Sequence, residues 1–597
     1  MEDSETAAPY TLLGFLIRGG DGDYCGFMMD YAERVKNALL WVGLFSITFL
    51  LLQKLARLVR LWGQGSRIPG PPSPSFFGHS KLIADRAVGQ NMIGYLSKMH
   101  EKYGPIVRLW MGPTQMLISV KDIAMIEEML VKAEDKLPLI GRAFRLAFGR
   151  STLFVSSFDK ARRTRESLAV CMNNNLLERL NQLPGKVVEH VLERFVSIIA
   201  KDVPDSRQVS EHMASYILGA SMFGDAFLNW SNASLYEELL VTVAKEACFW
   251  DSYRIPPFWS RRYRTYHFLC TRLKELNKDI IDESMKSRNV ARKEDGTAVF
   301  IDAMMFGGSL FHGKTKKHHF SEEEQCDNIL GLIFHGFLTT ASLINSILTR
   351  LALHPELQEN IYWEIISLKK TSKFDLSDVQ KMNFLLATMY ESARLLPPGP
   401  LLQRCSLNHD LKLKSGITVP AGAIIVVPLP LVHMDYSIWG KDADQFYPQH
   451  FITMTCSHKD GMLDEHEASK EITRELQIDG SFLSFGSGAR SCVGQKFVIL
   501  ALSALFASLL DSYENTYRLD LRKKTSAWKA VCFPSLHTRD PRRTTRTSPT
   551  DNTQSYKDVA KEYFAWDYKQ KQPAAEPIPE ELRTLFDDQE EREHQSK

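Results

Sequence analysis

The stretch Phe485-Gly486-Ser487-Gly488-Ala489-Arg490-Ser491-Cys492-Val493-Gly494 decides how this 597-residue chain is read. Its glycines at 486 and 488 let the backbone turn tightly and expose its amides. Cys492 follows, and a long apolar run from Val498 to Leu510 begins soon after it. A cysteine at a helix N-terminus has its thiolate favoured by the helix dipole and by unpaired backbone N–H groups. Amide donors aimed at such a sulfur also tune the redox behaviour of any iron it binds. Arg490 supplies a cation suited to a carboxylate, and the ring of Phe485 can shield the sulfur from water. A Gly-rich loop before a helix can instead cradle phosphate, but no Gly-Lys-Ser/Thr follows this one.

The loop resembles the haem-binding loop of the cytochrome P-450 family, Phe-x-x-Gly-x-Arg-x-Cys-x-Gly. Every fixed position is filled, by Phe485, Gly488, Arg490, Cys492 and Gly494. The resemblance implies heme b with an axial thiolate from Cys492. It also implies a mainly α fold with small β-sheets (α+β), the cytochrome P-450 fold, as a single large haem domain behind an N-terminal membrane helix. Further parts of the family pattern follow in order. Glu391 and Arg394 share one helix face at i,i+3 spacing and resemble the family's buried structural ion pair. The family's third partner comes from a Pro-Glu-Arg-Phe segment; here Pro448-Gln449-His450-Phe451 places His450 where arginine is usual, which alters the network and makes it pH-sensitive. Phe158 and Arg162 stand where the family shows Trp-x-x-x-Arg, so Arg162 is expected at a haem propionate, with Arg404 and Arg490 as further propionate partners.

The helix expected from Ser321, where Glu324 completes a capping box, runs to about Leu353 before Pro355. It contains His335-Gly336-Phe337-Leu338-Thr339-Thr340, which resembles the family's Ala/Gly-Gly-x-Asp/Glu-Thr-Thr over the distal haem face. Gly336 and the hydroxyls of Thr339 and Thr340 give a physical cause for a local kink. Thr339 keeps the hydroxyl that in the family assists proton delivery. Leu338 replaces the acid, and His335 replaces a small residue close above the iron. Three readings of His335 stand open: a proton relay, a sixth iron ligand, or a packed histidine turned away from the haem.

Composition bounds the remaining choices. Apolar residues make up 44% and charged ones 24%, ordinary for a globular chain. The net charge of +2 argues against a protein that coats nucleic acid. The nine cysteines are scattered, with no close CxxC pair, as expected of reduced thiols in a cytosol-facing protein.

Along the chain, an N-terminal extension (1–36) precedes the uncharged run Ala38–Leu52, which Asn37 and Gln53 extend to a membrane anchor at 37–53. Lys54, Arg57, Arg60 and Arg67 follow it, so the positive-inside rule places the rest of the chain on the cytoplasmic side. A basic and Pro-rich linker (54–74) then reads as a stiff spacer. The haem domain takes 75–540, and 541–597 reads as a polar, mobile tail. Tyr103–Val120 and Ile417–Pro428 each read as a hairpin.

The function expected is a single-pass membrane monooxygenase of the endoplasmic reticulum, acting with dioxygen on an apolar, lipid-like small molecule. Phe223, Phe227, Trp230, Phe249, Trp250 and Trp259 are candidate access-route residues, and Leu137, Ile140, Leu401 and Leu402 are candidates near the haem by family analogy. No flavin or nicotinamide domain is recognisable, so electrons are expected from an NADPH-dependent flavoprotein reductase. Two rivals are kept: a reductase-independent isomerase or dehydratase, favoured by Leu338, and a non-catalytic haem protein whose iron His335 blocks.

Overall fold

The computed structural model describes residues 21–76, 78–79, 92–136, 146–149, 153, 155, 157–172, 180, 183–199, 206–248, 257–291, 321–369, 376–452 and 481–517. Leu137, Ile140, Phe249, Trp250 and the segment 541–597 lie outside these residues. The longer helices are α1 (Asp21–Gly65), α2 (Met92–Tyr103), α3 (Ile123–Lys132), α4 (Phe158–Cys171), α5 (Leu183–Ile199), α6 (Ser206–Phe223), α7 (Ala233–Cys248) and α8 (Arg261–Ala291). They continue with α9 (Glu322–Leu353), α10 (Pro355–Leu368), α11 (Asn383–Leu395) and α12 (Gln495–Tyr517). The strands are β1 (Ile106–Trp110), β2 (Met116–Val120), β3 (Leu401–Arg404), β4 (Leu411–Lys412), β5 (Thr418–Val419) and β6 (Ile424–Pro428).

The expected anchor is the middle of α1, which continues through Lys54, Arg57 and Arg60 to Gly65 rather than giving way to a linker at 54. Lysine and arginine are good helix formers, so basic residues after an apolar run do not end a helix. The span Tyr31–Gly65 is long and apolar enough to cross a bilayer, with mean hydropathy 1.8 in its most apolar window and none of that window buried.

A second compact unit begins at Ile68. Its Pro-rich start is not a free spacer. Ile68 is buried, Arg108 N donates to Pro69 O at 2.7 Å, and Gly70 lies against β1. A Cβ at Gly70 would meet Arg108 O at 2.2 Å, so only glycine permits this approach.

The first expected hairpin forms, with β1 antiparallel to β2 from Ile106 opposite Val120 to Trp110 opposite Met116. The second does not. β5 pairs with β4, whereas β6 runs parallel to β2 and antiparallel to β3, giving the sheet order β1-β2-β6-β3. Pro420 ends the pairing because it has no N–H to give, and Gly422 N turns aside to Ser406 O at 2.7 Å. The two halves of that stretch therefore serve different sheets.

The capping box at Ser321 is present: Glu324 N donates to Ser321 Oγ and Ser321 N to Glu324 Oε2, each at 3.2 Å. The helix it starts, α9, packs along α6 and lies in the apolar core shared with α5, α7, α8, α11 and α12. It is also apolar enough to span a bilayer, but 67% of its apolar window is buried, so it is a core helix. It runs unbroken through Gly336.

Candidate functional site

The loop before α12 is held at several points. Leu483 N donates to His433 Nε2 at 3.0 Å, and Ser484 Oγ donates to Ala393 O at 2.7 Å. Gly486 and Gly488 take φ of +69° and +70°, and a Cβ at Gly488 would meet Leu130 O at 2.8 Å. These turns bring Cys492 N to Phe485 O at 2.8 Å, closing the loop under the residue that the sequence marks as the ligand. Burial raises the Cys492 thiol pKa, while Gly494 N–H and Arg165 favour its thiolate. Its side chain nonetheless remains accessible.

Behind the loop, Arg394 and Glu391 are fully buried and paired in parallel, Nε to Oε2 and Nη2 to Oε1, both at 2.7 Å. Arg394 also donates to His433 O, Ala443 O and Gln445 O, and lies over the Trp439 ring at 4.8 Å. His433, which sequence reasoning missed, ties this network to the loop. Because its Nε2 accepts from Leu483, its Nδ1 carries the proton and donates to Arg394 O at 2.9 Å. Burial lowers its pKa to about 3, so the imidazole is neutral.

His450 takes the place expected for the third partner. Its Nδ1 lies 3.2 Å from Glu391 Oε1 and its Nε2 lies 3.3 Å from Asp442 Oδ1. Burial opposes its charge, but Glu391 outweighs that and raises its pKa. Burial likewise opposes the Glu391 charge, and Arg394 with His450 outweighs it, holding the carboxyl below its ordinary range.

Arg162, expected at a propionate, has a side chain that is 64% exposed and pairs with Glu166 at 3.1 Å. Arg165, one turn further along α4, is the arginine brought to the loop: it donates to Ser491 O and bears on the Cys492 sulfur. Helix phase explains the difference. Ala161, Thr164 and Leu168 form the buried stripe of α4, and Arg165 lies on that stripe whereas Arg162 does not. Phe158 caps the stripe, with Arg490 over its ring at 5.5 Å.

Arg404 is buried and donates to Ser487 O at 3.0 Å. Burial, then Arg490 and Arg165, lower its pKa to about 10. Lys136, also missed from sequence, lies with them; burial, then Arg404, Arg490 and Arg165, lower its pKa to about 8. Arg490 donates to Glu134 O and Val155 O. Among the described residues no carboxylate forms an ion pair with Lys136, Arg165 or Arg404. The Asp135 carboxylate nearby accepts from Phe158 N and Leu407 N instead. An accessible thiol beside Lys136, Arg165 and Arg404, which pair with no carboxylate among the described residues, fits an iron porphyrin with its two propionates.

On α9, Thr339 is accessible while Phe337, Thr340 and Ala341 are buried. Its hydroxyl donates to His335 O at 2.8 Å. His335 rests on the Phe148 ring at 5.3 Å and on Phe334 at 5.8 Å. Burial, then Lys136, lower its pKa to about 3. The imidazole is therefore neutral at pH 7. Leu338 packs against the core and offers no proton.

Phe223, Phe227 and Trp230 form a ring cluster with Tyr216 and Tyr236 in the core, which is packing rather than an open route. Trp259 is 68% exposed beside Phe258. Leu401 and Leu402 lie on β3, leading to Arg404.

The fold and this site define a haem-thiolate oxidoreductase. The family model for cytochrome P450 matches residues 68–538, and the chain belongs to the cytochrome P450 family. The chain is similar to probable cytochrome P450 313a4 of Drosophila melanogaster, 24% identical over 508 residues, covering 79% of this chain and 92% of the relative. It is also similar to cytochrome P450 4F11 of Homo sapiens, 24% identical over 78% of this chain and 89% of the relative. Cytokinin hydroxylase of Arabidopsis thaliana is 22% identical over 69% of this chain and 76% of the relative. Members of this family are monooxygenases that carry haem on a cysteine thiolate and use dioxygen with redox partners, so the chain is a haem enzyme of that class.

Proposed function

We propose that this protein is a membrane-anchored monooxygenase that inserts one atom of dioxygen into an apolar, lipid-like small molecule and reduces the other to water. Electrons come from an NADPH-dependent flavoprotein reductase. The observation that carries the reading is the accessible Cys492 thiol with Arg165 bearing on it, and Arg404 and Lys136 grouped with Arg165. Bound haem supplies the oxygen-activating chemistry.

The chain's own residues have separable tasks. Cys492 provides the thiolate, which the Gly494 N–H and Arg165 stabilise against burial. Lys136, Arg165 and Arg404 hold the propionates, with Arg490 bracing the loop from Glu134 and Val155. Phe485 and Val493, partly buried against the core, keep water from the sulfur. Thr339 Oγ1 gives its proton to His335 O and keeps lone pairs to accept a hydrogen bond in the cavity. Glu391, Arg394, His433 and His450 position the loop. The basic residues Lys54, Arg57 and Arg60 after the apolar part of α1 support an endoplasmic-reticulum anchor with the haem domain facing the cytoplasm.

The test is turnover under ¹⁸O₂ of a lipid library by holoprotein and a separate flavoprotein reductase. One ¹⁸O atom in product, lost without NADPH or reductase, is expected. The aliphatic Leu338 favours a second reading, rearrangement of a lipid hydroperoxide without reductase. Product formed from hydroperoxide alone, with none from dioxygen and NADPH, would establish that reading instead.

A further inference from the structure

We infer that the last turns of α1, residues 54–65, are a binding surface for anionic phospholipid headgroups, set where the membrane span ends. This rests on the anchor reading above. The helix does not stop with the apolar run: it continues without a break from Leu52 through Lys54 to Gly65. In these turns Lys54, Arg57 and Arg60 recur every third residue and stand on one side of the helix. Leu55, Leu58, Val59 and Trp62 take the other side, at spacings of three and four. Leu55, Val59 and Trp62 are 55%, 63% and 40% exposed, and Lys54, Arg57 and Arg60 are exposed as well. A helix with an uncovered apolar side and a basic side is built to lie at the boundary of a bilayer.

Helix geometry sets the depth of these residues. The uncharged run 38–52 covers about 22 Å of axis, less than the roughly 30 Å of a bilayer's hydrocarbon layer. Asn37 to Arg57 covers about 30 Å, so Arg57 reaches the hydrocarbon edge and Arg60, about 4.5 Å further, lies among the headgroups. Lys54, nearly one turn below Arg57, raises its ammonium to the same level along its own aliphatic stem. Trp62 falls at the headgroup level, where indole rings settle.

Charge selects the kind of lipid. Residues 54–65 carry Lys54, Arg57 and Arg60 and no acid, and Arg67 follows. At the other end of the apolar run, Asp30 and Glu33 offset Arg34 and Lys36, so net attraction for anions is confined to one leaflet. A zwitterionic headgroup carries its own ammonium and offers these cations no net charge, whereas an anionic one does. A soluble phosphate would supply the charge but would leave Leu55, Val59 and Trp62 in water; a lipid surface covers them.

The experiment uses full-length holoprotein in phosphatidylcholine vesicles with a trace of spin-labelled phosphatidylserine or spin-labelled phosphatidylcholine. Electron paramagnetic resonance reads the fraction of each label immobilised by the protein. One cation at an anionic surface favours the contact about fivefold, so wild type should hold the serine label about fivefold or more over the choline label. High salt should lower that preference. Lys54→Gln, Arg57→Gln and Arg60→Gln together should abolish it with the absorption spectrum unchanged, while Arg34→Gln with Lys36→Gln should leave it in place. Equal retention of both labels by wild type, a preference that survives in the triple variant, or one lost in the double variant overturns the lipid site and leaves the anchor standing. A wild type that fails to float with the vesicles overturns both.

Discussion

Arg162 and Arg165 lie three residues apart on one helix, and their different surroundings predict opposite importance for haem. Arg165 donates to the carbonyl of Ser491, beside Cys492, and no acid among the described residues pairs with it. A charge-assisted hydrogen bond contributes about 1.5–3 kcal/mol, so losing one propionate contact at Arg165→Ala should speed haem release roughly 10- to 150-fold. Arg162 and its partner Glu166 are 64% and 65% exposed. Exposed pairs contribute about 0–1 kcal/mol, so Arg162→Ala should change release by less than about fivefold. The assay is haem transfer from the ferric protein to excess apomyoglobin, with thermal melts confirming that both variants are folded. Equal rates for the two variants, or faster release from Arg162→Ala, would refute the assignment of Arg165 to the site.

Three other outcomes follow from the loop and its supports. Arg394→Met leaves Glu391 buried without its cation and should destabilise the fold by about 3–5 kcal/mol in chemical denaturation; a change under about 1 kcal/mol contradicts the network. Gly488→Ala places a side chain at φ +70° and 2.8 Å from Leu130 O, so it should add at least about 1–2 kcal/mol of strain and lower haem occupancy on purification, whereas full occupancy contradicts it. His450 has a raised folded pKa, so its contribution is fully present below its ordinary value of about 6.5 and lost as pH rises through the higher folded value. Glu391 and Asp442 favour its charge and Arg394 opposes it. Denaturation at a series of pH values should show wild-type stability falling across that window relative to His450→Gln; a rise would contradict the pairing.

What could be read from the sequence was whatever depends on local backbone chemistry. The cysteine loop needs two glycines, a cysteine and a following helix in fixed order, and those requirements are visible residue by residue. The capping box at Ser321 and the end of α9 before Pro355 are legible for the same reason. Arg165 was not singled out because Phe158 and Arg162 resemble the family's Trp-x-x-x-Arg. The stripe of Ala161, Thr164 and Leu168 carries the phase that brings Arg165 to Ser491 O. Lys136 follows α3 in a loop, where no periodicity says which way a side chain points. His433 is invisible in sequence because its role is to join Arg394 to Leu483, segments 89 positions apart in the chain by their own numbers. The stretch 417–428 misled because strand signals identify strands but not partners, and β5 and β6 join different sheets.

The central claim, that Cys492 sulfur holds the iron, is tested most directly by resonance Raman spectroscopy of ferric holoprotein grown with ³⁴S-cysteine. The account predicts an iron–sulfur stretching band that shifts to lower frequency with the heavier isotope and is absent in Cys492→Ser. A band insensitive to the isotope, or one that survives in Cys492→Ser, would contradict it.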